Sequence, residues 1–335
     1  MLSFFNKKIR RSTKVFNKTF EEFMQTGVTP QEGHTALIDL FCRTNGKFND
    51  TINNKIIKSA PKTNPTSTSK LWNSIDLNYS NELNNKLEKN GYVDFKESLP
   101  KELVDKIYNF ALKNETRMAP NYDKKVLFDP TNFQSEIYRF DANDLANSIE
   151  IQELIMDPFL IDVARKYLKS EPIFDFPAMW WSTSFLKEAS AEAAQLYHFD
   201  LDRIKWLKIF FYITDVNENT GPHCYIEGSH ISGTKPKEIL KKGYARIQDE
   251  ELEKYYPKDK FKTICAPAGS IFAGDTKCWH KGTPLKEGVR LVLEFEYTTS
   301  LFGANYDKFI MKNYTPEFKE FCKNNSYYSS NFIFE

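Results

Sequence analysis

Between residues 179 and 299 apolar and aromatic residues fall in short blocks, separated by turn-forming Gly, Pro, Asn and Asp. The blocks are MWWSTSFL (179–186), QLYHFD (195–200), WLKIFFYITDV (206–216), CYIEGS (224–229), FKTICAPAGSIFAG (261–274) and RLVLEFEYTT (290–299). Their β-branched and aromatic content reads as strands. No helix of ordinary length fits between most of them, so the expected fold is mainly β, an antiparallel sandwich or barrel rather than a doubly wound sheet. Upstream the period changes. Residues 81–114 predict a helix, a short strand GYVDF, and a second helix opened by Pro100 with Leu103, Ile107, Phe110 and Ala111 on one face. Residues 154–168 repeat the helical period and complete a helical cover.

The N-terminal quarter reads differently. Residues 20–41 predict a short helical appendage, and 45–74 are so thick in Asn, Lys, Thr, Ser and Pro that poor packing is expected, with a linker over 60–70. The expected organisation is a basic, helical extension and polar linker over 1–75, the main domain over 76–300, and a C-terminal extension packing on the core over 301–335.

Charge narrows the partners. Lysine and arginine number 46 against 45 acidic residues, and a net charge of +1 offers no general field for nucleic acid or an anionic membrane. Five scattered cysteines without a C-x-x-C pair argue against a disulfide framework or structural zinc, and fit a reducing cytoplasm. No apolar run approaches the roughly 20 residues of a membrane helix. Lys7, Lys8, Arg10, Arg11, Lys14 and Lys18 precede the first acid, Glu21; a solvated basic helix is expected there in preference to an organelle-targeting peptide.

The candidate chemistry begins at Tyr197-His198-Phe199-Asp200. In an extended segment alternate side chains share a face, so His198 and Asp200 are presented together while Tyr197 and Phe199 point away. A lone histidine is often a packing residue, and this pair needs a partner. His280, eighty residues after Asp200, supplies it. Two histidines and a carboxylate on one face of a metal leave positions open for a cosubstrate and oxygen, as suits iron(II); a structural zinc site would close them. Ten residues on, Arg290 opens a strand that a turn through Thr283 and Gly288 would return beside His280. A guanidinium there can grip a carboxylate through two parallel hydrogen bonds. His34, His223 and His230 read as loop or packing residues.

The run QLYHFDLDRIKWLKIFFYITDVNENTGPHCYIEGSH, followed by AGSIFAGDTKCWHKGTPLKEGVR, resembles the phytanoyl-CoA dioxygenase-like family. The resemblance covers about 81–300 and implies a double-stranded β-helix, a jelly-roll of cupin type, with Fe(II), 2-oxoglutarate as cosubstrate and O2. It implies His198, Asp200 and His280 as metal ligands and Arg290 on the cosubstrate carboxylate, with Thr283 adding a hydroxyl. Thr220-Gly221-Pro222 departs from the family's more usual Asn-Gly before that turn, which affects a loop and no ligand. Asp200 occupies the position that halogenating members give to a small residue, so hydroxylation of a small organic molecule, with release of succinate and CO2, is the expected reaction. Lys208, Phe210 and Tyr212 share one face of their strand and are candidate cavity residues, with Ile209, Phe211 and Ile213 outside, though the opposite assignment is nearly as good. Arg139, Trp180 and Trp181 are candidate substrate contacts. Two other readings stand beside this one: a non-catalytic barrel that keeps the site, and a cupin-type metalloenzyme that does not use 2-oxoglutarate.

Overall fold

The computed structural model describes residues 2–61, 69, 71–72, 75 and 78–335, with side chains from residue 7 onward. Of the expected linker, 62–68 and 70 lie outside the described residues.

The strands are β1 (Tyr92–Ser98), β2 (Glu115–Met118), β3 (Lys125–Leu127), β4 (Ile137–Arg139), β5 (Ile173–Thr183), β6 (Trp206–Tyr212), β7 (His223–Ile226), β8 (Phe261–Ile264), β9 (Ser270–Gly274), β10 (His280–Gly282), β11 (Val289–Thr298), and a separate C-terminal pair, β12 (Phe309–Met311) and β13 (Phe332–Phe334). Eight form a large antiparallel sheet in the order β1-β9-β6-β11-β5-β4-β2-β3, and β10-β7-β8 form a smaller one facing it. This is the jelly-roll arrangement expected. Parity sorts the large sheet's faces. Ile209, Phe211, Leu291, Leu293 and Phe295 bury against Leu83, Leu87, Leu103, Ile107 and Leu160 of the helical cover. Lys208, Phe210 and Tyr212 face inward, Phe210 and Tyr212 packing with Phe272 and Val292 of the same sheet and with Tyr225 of the smaller one. Each fully buried Leu, Ile or Phe contributes about 1.5–3 kcal/mol, so the helical face anchors the sheet while the inner face is free to carry polar groups.

Several expectations need correcting. QLYHFD is extended but joins no sheet: Tyr197 and His198 make isolated bridges to Ile247 and His280. MWWSTSFL begins too late and runs too far; β5 starts at Ile173, and Ser184–Leu186 lie beyond it. Asp175 and Pro177 hid the start, yet at Pro177 only β11 pairs with β5, since β4 reaches Trp180–Ser182 alone. FKTICAPAGSIFAG is two strands in two sheets, β8 and β9. The short β2, β3 and β4 went unannounced because three or four residues carry too little alternation to read.

The N-terminal segment is not a short appendage over 20–41. It forms three helices, α1 (Leu2–Thr26), α2 (Gln31–Thr44) and α3 (Lys47–Ser59), the last inside the stretch expected to pack poorly. Asn49, Ile52 and Asn53 of α3 are buried, and Asn53 Oδ1 accepts from Thr299 Oγ1 at 2.7 Å. Asn49 and Asn53 are thus buried partners rather than loop residues, while Asn54 is exposed. The six basic side chains of α1 are all exposed, whereas Phe16, Phe20 and Phe23 close around Phe302 at ring distances of 5.1–5.5 Å.

These helices brace the chain that runs on from Asp200. His34 Nε2 meets the Leu201 carbonyl at 3.0 Å, Asn49 donates to the Ile204 carbonyl at 3.3 Å, and Thr29 Oγ1 accepts from Gly303 N at 3.0 Å. Gly303 bridges Arg203 with φ of +149°, and a Cβ added there would sit 1.8 Å from the Asp202 carbonyl oxygen. Gly303→Ala should therefore destabilise by more than about 2 kcal/mol, measured as a lowered denaturant midpoint with an unchanged slope.

Candidate active site

His198 and His280 exchange both backbone hydrogen bonds, N to O at 3.0 and 2.8 Å, which sets their side chains side by side with ring centroids 4.2 Å apart. Two residues on, Asp200 returns to the same face, its N–H donating to the Thr276 carbonyl at 2.8 Å. Tyr197, Phe199 and Leu201 alternate to the other side, where they bury with Phe41, Trp206 and Trp279. Strand parity thus acts without a strand, because the opposite apolar face holds the segment extended.

The three ligand atoms lie within 4.8 Å of one another, each His Nε2 being 3.7 Å from an Asp200 oxygen. His198 Nδ1 donates to the Leu196 carbonyl at 2.9 Å and His280 Nδ1 to the Cys278 carbonyl at 3.0 Å. A carbonyl only accepts, so Nδ1 carries the proton and each Nε2 lone pair points inward. Burial, and for His198 the neighbouring imidazole, pushes both histidines below their usual pKa, keeping them neutral as metal ligation requires. Burial alone would raise the Asp200 carboxyl, but its surroundings, the Lys208 ammonium foremost, more than offset this and hold it ionised. A two-nitrogen, one-oxygen donor set with other positions open fits iron(II).

Lys208 reaches Asp200 at 3.0 Å, Glu294 at 3.1 Å and Glu296 at 3.4 Å from the inner face of β6. Burial would lower its pKa, yet the three carboxylates lift it well above the usual value. It joins the metal centre to the sheet and is not a free substrate contact. Lys208→Met would leave three buried carboxylates without their common cation and should cost about 3–5 kcal/mol, read as a fall in melting temperature.

Arg290, 3% exposed, stands at the head of β11 on the same cavity wall. Nη2 donates to Ser182 Oγ at 3.1 Å, while Nε and Nη1 are buried without a partner. An always-charged guanidinium left this way is costly unless an anion completes it. Opposite lies Gly282, whose missing side chain leaves the space in front: an added Cβ would come within 3.5 Å of Nη2. The unfilled donors and the space before them suit a carboxylate.

The cavity these groups share has a volume of about 340 Å³. Of the other candidates, Arg139 and Trp180 line it, with the Arg139 guanidinium 5.9 Å from the Trp180 ring centre. Trp181 is fully buried on the opposite face against Phe128. Tyr212 lies deeper, its hydroxyl between His223 Nδ1 and the Ile264 carbonyl, each at 3.0 Å. Thr283 is not among the lining residues; its hydroxyl donates to the Pro222 carbonyl at 3.1 Å. His230 and His223 both pack, and His223, in β7 against Phe210, Tyr212 and Phe272, also lines the cavity. Asp202, Arg246, Glu294 and Tyr306 also line it and were not singled out. Asp202 was within reach, since it continues the alternation of His198 and Asp200. Arg246 was not, because its place depends on a single bridge between Tyr197 and Ile247.

The fold, the His-Asp-His centre and the buried arginine define an iron- and 2-oxoglutarate-dependent oxygenase. The family model for phytanoyl-CoA dioxygenase matches residues 87–288, more than half of the chain, and the protein belongs to that family. Among solved structures it is similar to HygX from Streptomyces hygroscopicus with nickel and 2-oxoglutarate bound (16% identity, 73% of this chain and 94% of that one, TM-score 0.48). It is similar also to the non-haem α-ketoglutarate-dependent epimerase SnoN from nogalamycin biosynthesis (15%, 67% and 84%, 0.48). AviO1 from Streptomyces viridochromogenes Tue57 is a third (13%, 67% and 96%, 0.45). No curated protein matches the chain.

Proposed function

We propose that the protein hydroxylates a small organic molecule in the cavity bounded by His198, Asp200, His280 and Arg290. The observation that carries this is the pairing, on one wall, of an open donor set with a buried arginine whose donors lack partners. Iron(II) and 2-oxoglutarate, when bound, supply the oxidising power, with succinate and CO2 released. His198, Asp200 and His280 would hold the metal, and Arg290 would orient the cosubstrate through its far carboxylate. Phe210, backed by Phe272 and Tyr225, gives the cavity an apolar side that would limit water at the reacting face. Asp200, fixed by Lys208 and the backbone at Thr276, fills a coordination position with carboxylate, which favours hydroxylation over transfer of a halide. In this reading the main domain spans 76–300, with 1–75 and 301–335 as extensions to it.

The test is anaerobic reconstitution with Fe(II) and 2-oxoglutarate, followed by admission of oxygen. Oxygen-dependent succinate formation above the protein-free control is expected even without substrate, at a low uncoupled rate. No succinate with metal and cosubstrate both bound would point to a non-catalytic barrel, and metal-dependent oxidation that ignores 2-oxoglutarate would point to a cupin-type enzyme.

A further inference from the structure

We infer that the molecule held beside the metal is a small zwitterion whose anionic group meets Arg246 and whose ammonium meets Asp202; the inference rests on the oxygenase reading above and adds the substrate's class. It follows from the charges on the cavity wall. Arg290 serves the cosubstrate, Asp200 the metal, and Lys208 is shared among Asp200, Glu294 and Glu296. Arg139 is engaged by the Trp180 ring and the Tyr122 hydroxyl, and Arg246 and Asp202 remain.

Both are placed by backbone register. The antiparallel bridge of Tyr197 to Ile247 sets Arg246 opposite His198, so that Arg246, His198 and His280 form one row across the cavity wall. Asp202 lies two residues beyond Asp200 on the same extended segment and also lines the cavity, while Leu201 between them is buried in the opposite core. Neither side chain has a hydrogen bond or an ion pair among the described residues, and the two are not paired with each other. Opposite charges on one cavity that do not meet leave between them a space matched to a ligand with the complementary pair.

Arg246 is exposed at the cavity's edge and Asp202 is half-buried, with Lys208 and Arg203 as its positively charged neighbours; a neutral ligand seated between the two would displace water from them without replacing its hydrogen bonds, and a singly charged one would replace them at one group alone. Arg139, across the cavity over Trp180, adds a second positive charge. Near Asp202 the rings of Phe176 and Tyr306, 4.5 Å apart, offer aromatic faces to an ammonium. The 340 Å³ must also take 2-oxoglutarate, so the substrate is small.

The experiment is anaerobic calorimetry on the Fe(II)-loaded full chain. Binding of 2-oxoglutarate is measured first, because its failure would overturn the oxygenase reading. Glycine, 4-aminobutyrate and 6-aminohexanoate are then titrated, each against the acid, amine and alcohol of equal length, whether or not 2-oxoglutarate has bound. At one length at least, the zwitterion should bind about tenfold or more tighter than its singly charged counterparts. Arg246→Gln should reduce it to the level of the amine and Asp202→Asn to the level of the acid, with melting temperatures checked to show that both variants fold. Equal or tighter binding of the acid, amine or alcohol at every length overturns the inference, as does an advantage that survives both substitutions.

Discussion

Asp200→Ala is expected to lose iron(II) binding by at least about 100-fold, beyond the 10–100-fold that follows loss of an outer partner, and with it all oxygen-dependent succinate formation. Two neutral imidazoles remain in that variant, each still fixed through Nδ1 to a carbonyl. Without the carboxylate they offer no charge to offset a divalent ion and only two donors to hold it. The fold should survive, because Lys208 keeps Glu294 and Glu296 as partners and Asp200's backbone bond to Thr276 does not depend on its side chain. Metal content after dialysis, read beside the melting temperature, separates the two effects. Full metal stoichiometry in the variant would remove Asp200 from the ligand set; a collapsed melting temperature would make it chiefly a partner of Lys208.

That separation bears on what could be read from sequence. The alternation His198, Asp200 was legible because parity is a property of extended chain, whether or not a sheet forms. His280 and Arg290 were legible as residues of the right chemistry after a strand and at the head of another. The face of β6 was not: Lys208, Phe210, Tyr212 and Ile209, Phe211, Ile213 are both mostly apolar, and all of β6 is buried. Only contact with the helical cover decided between them. The ionic link from Lys208 to Glu294 and Glu296 was hidden for the same reason, since it depends on the register of β6 against β11, where Lys208 faces Glu296. Helix α3 was misjudged on composition, because Asn is unfavourable in an isolated helix but tolerable when its amide is buried and bonded, as Asn49 and Asn53 are. The use of the N-terminal helices, bracing residues 201–204 and 303, is a tertiary fact with no local signal at all.

Arg290→Met should raise the apparent KM for 2-oxoglutarate by roughly 30-fold to several thousand-fold, the range expected when one partner of a buried, hydrogen-bonded charge pair is removed at 2–5 kcal/mol. The same change should stabilise the ligand-free protein. In the absence of an anion the guanidinium is 3% exposed with two nitrogens unsatisfied, and burial already depresses its pKa. An apolar side chain of similar length removes that desolvation cost and gives up only the bond to Ser182. The melting temperature of the variant should therefore rise without cosubstrate. Wild type should in turn be stabilised by 2-oxoglutarate through mass action, and the variant should not. Arg290→Lys keeps the charge but not the planar fork, and should fall between the two in KM. These effects have opposite signs from those of a structural arginine, whose loss would lower the melting temperature and leave KM unchanged. A variant that behaves in that second way would leave the His-Asp-His centre intact and take 2-oxoglutarate away from this wall of the cavity.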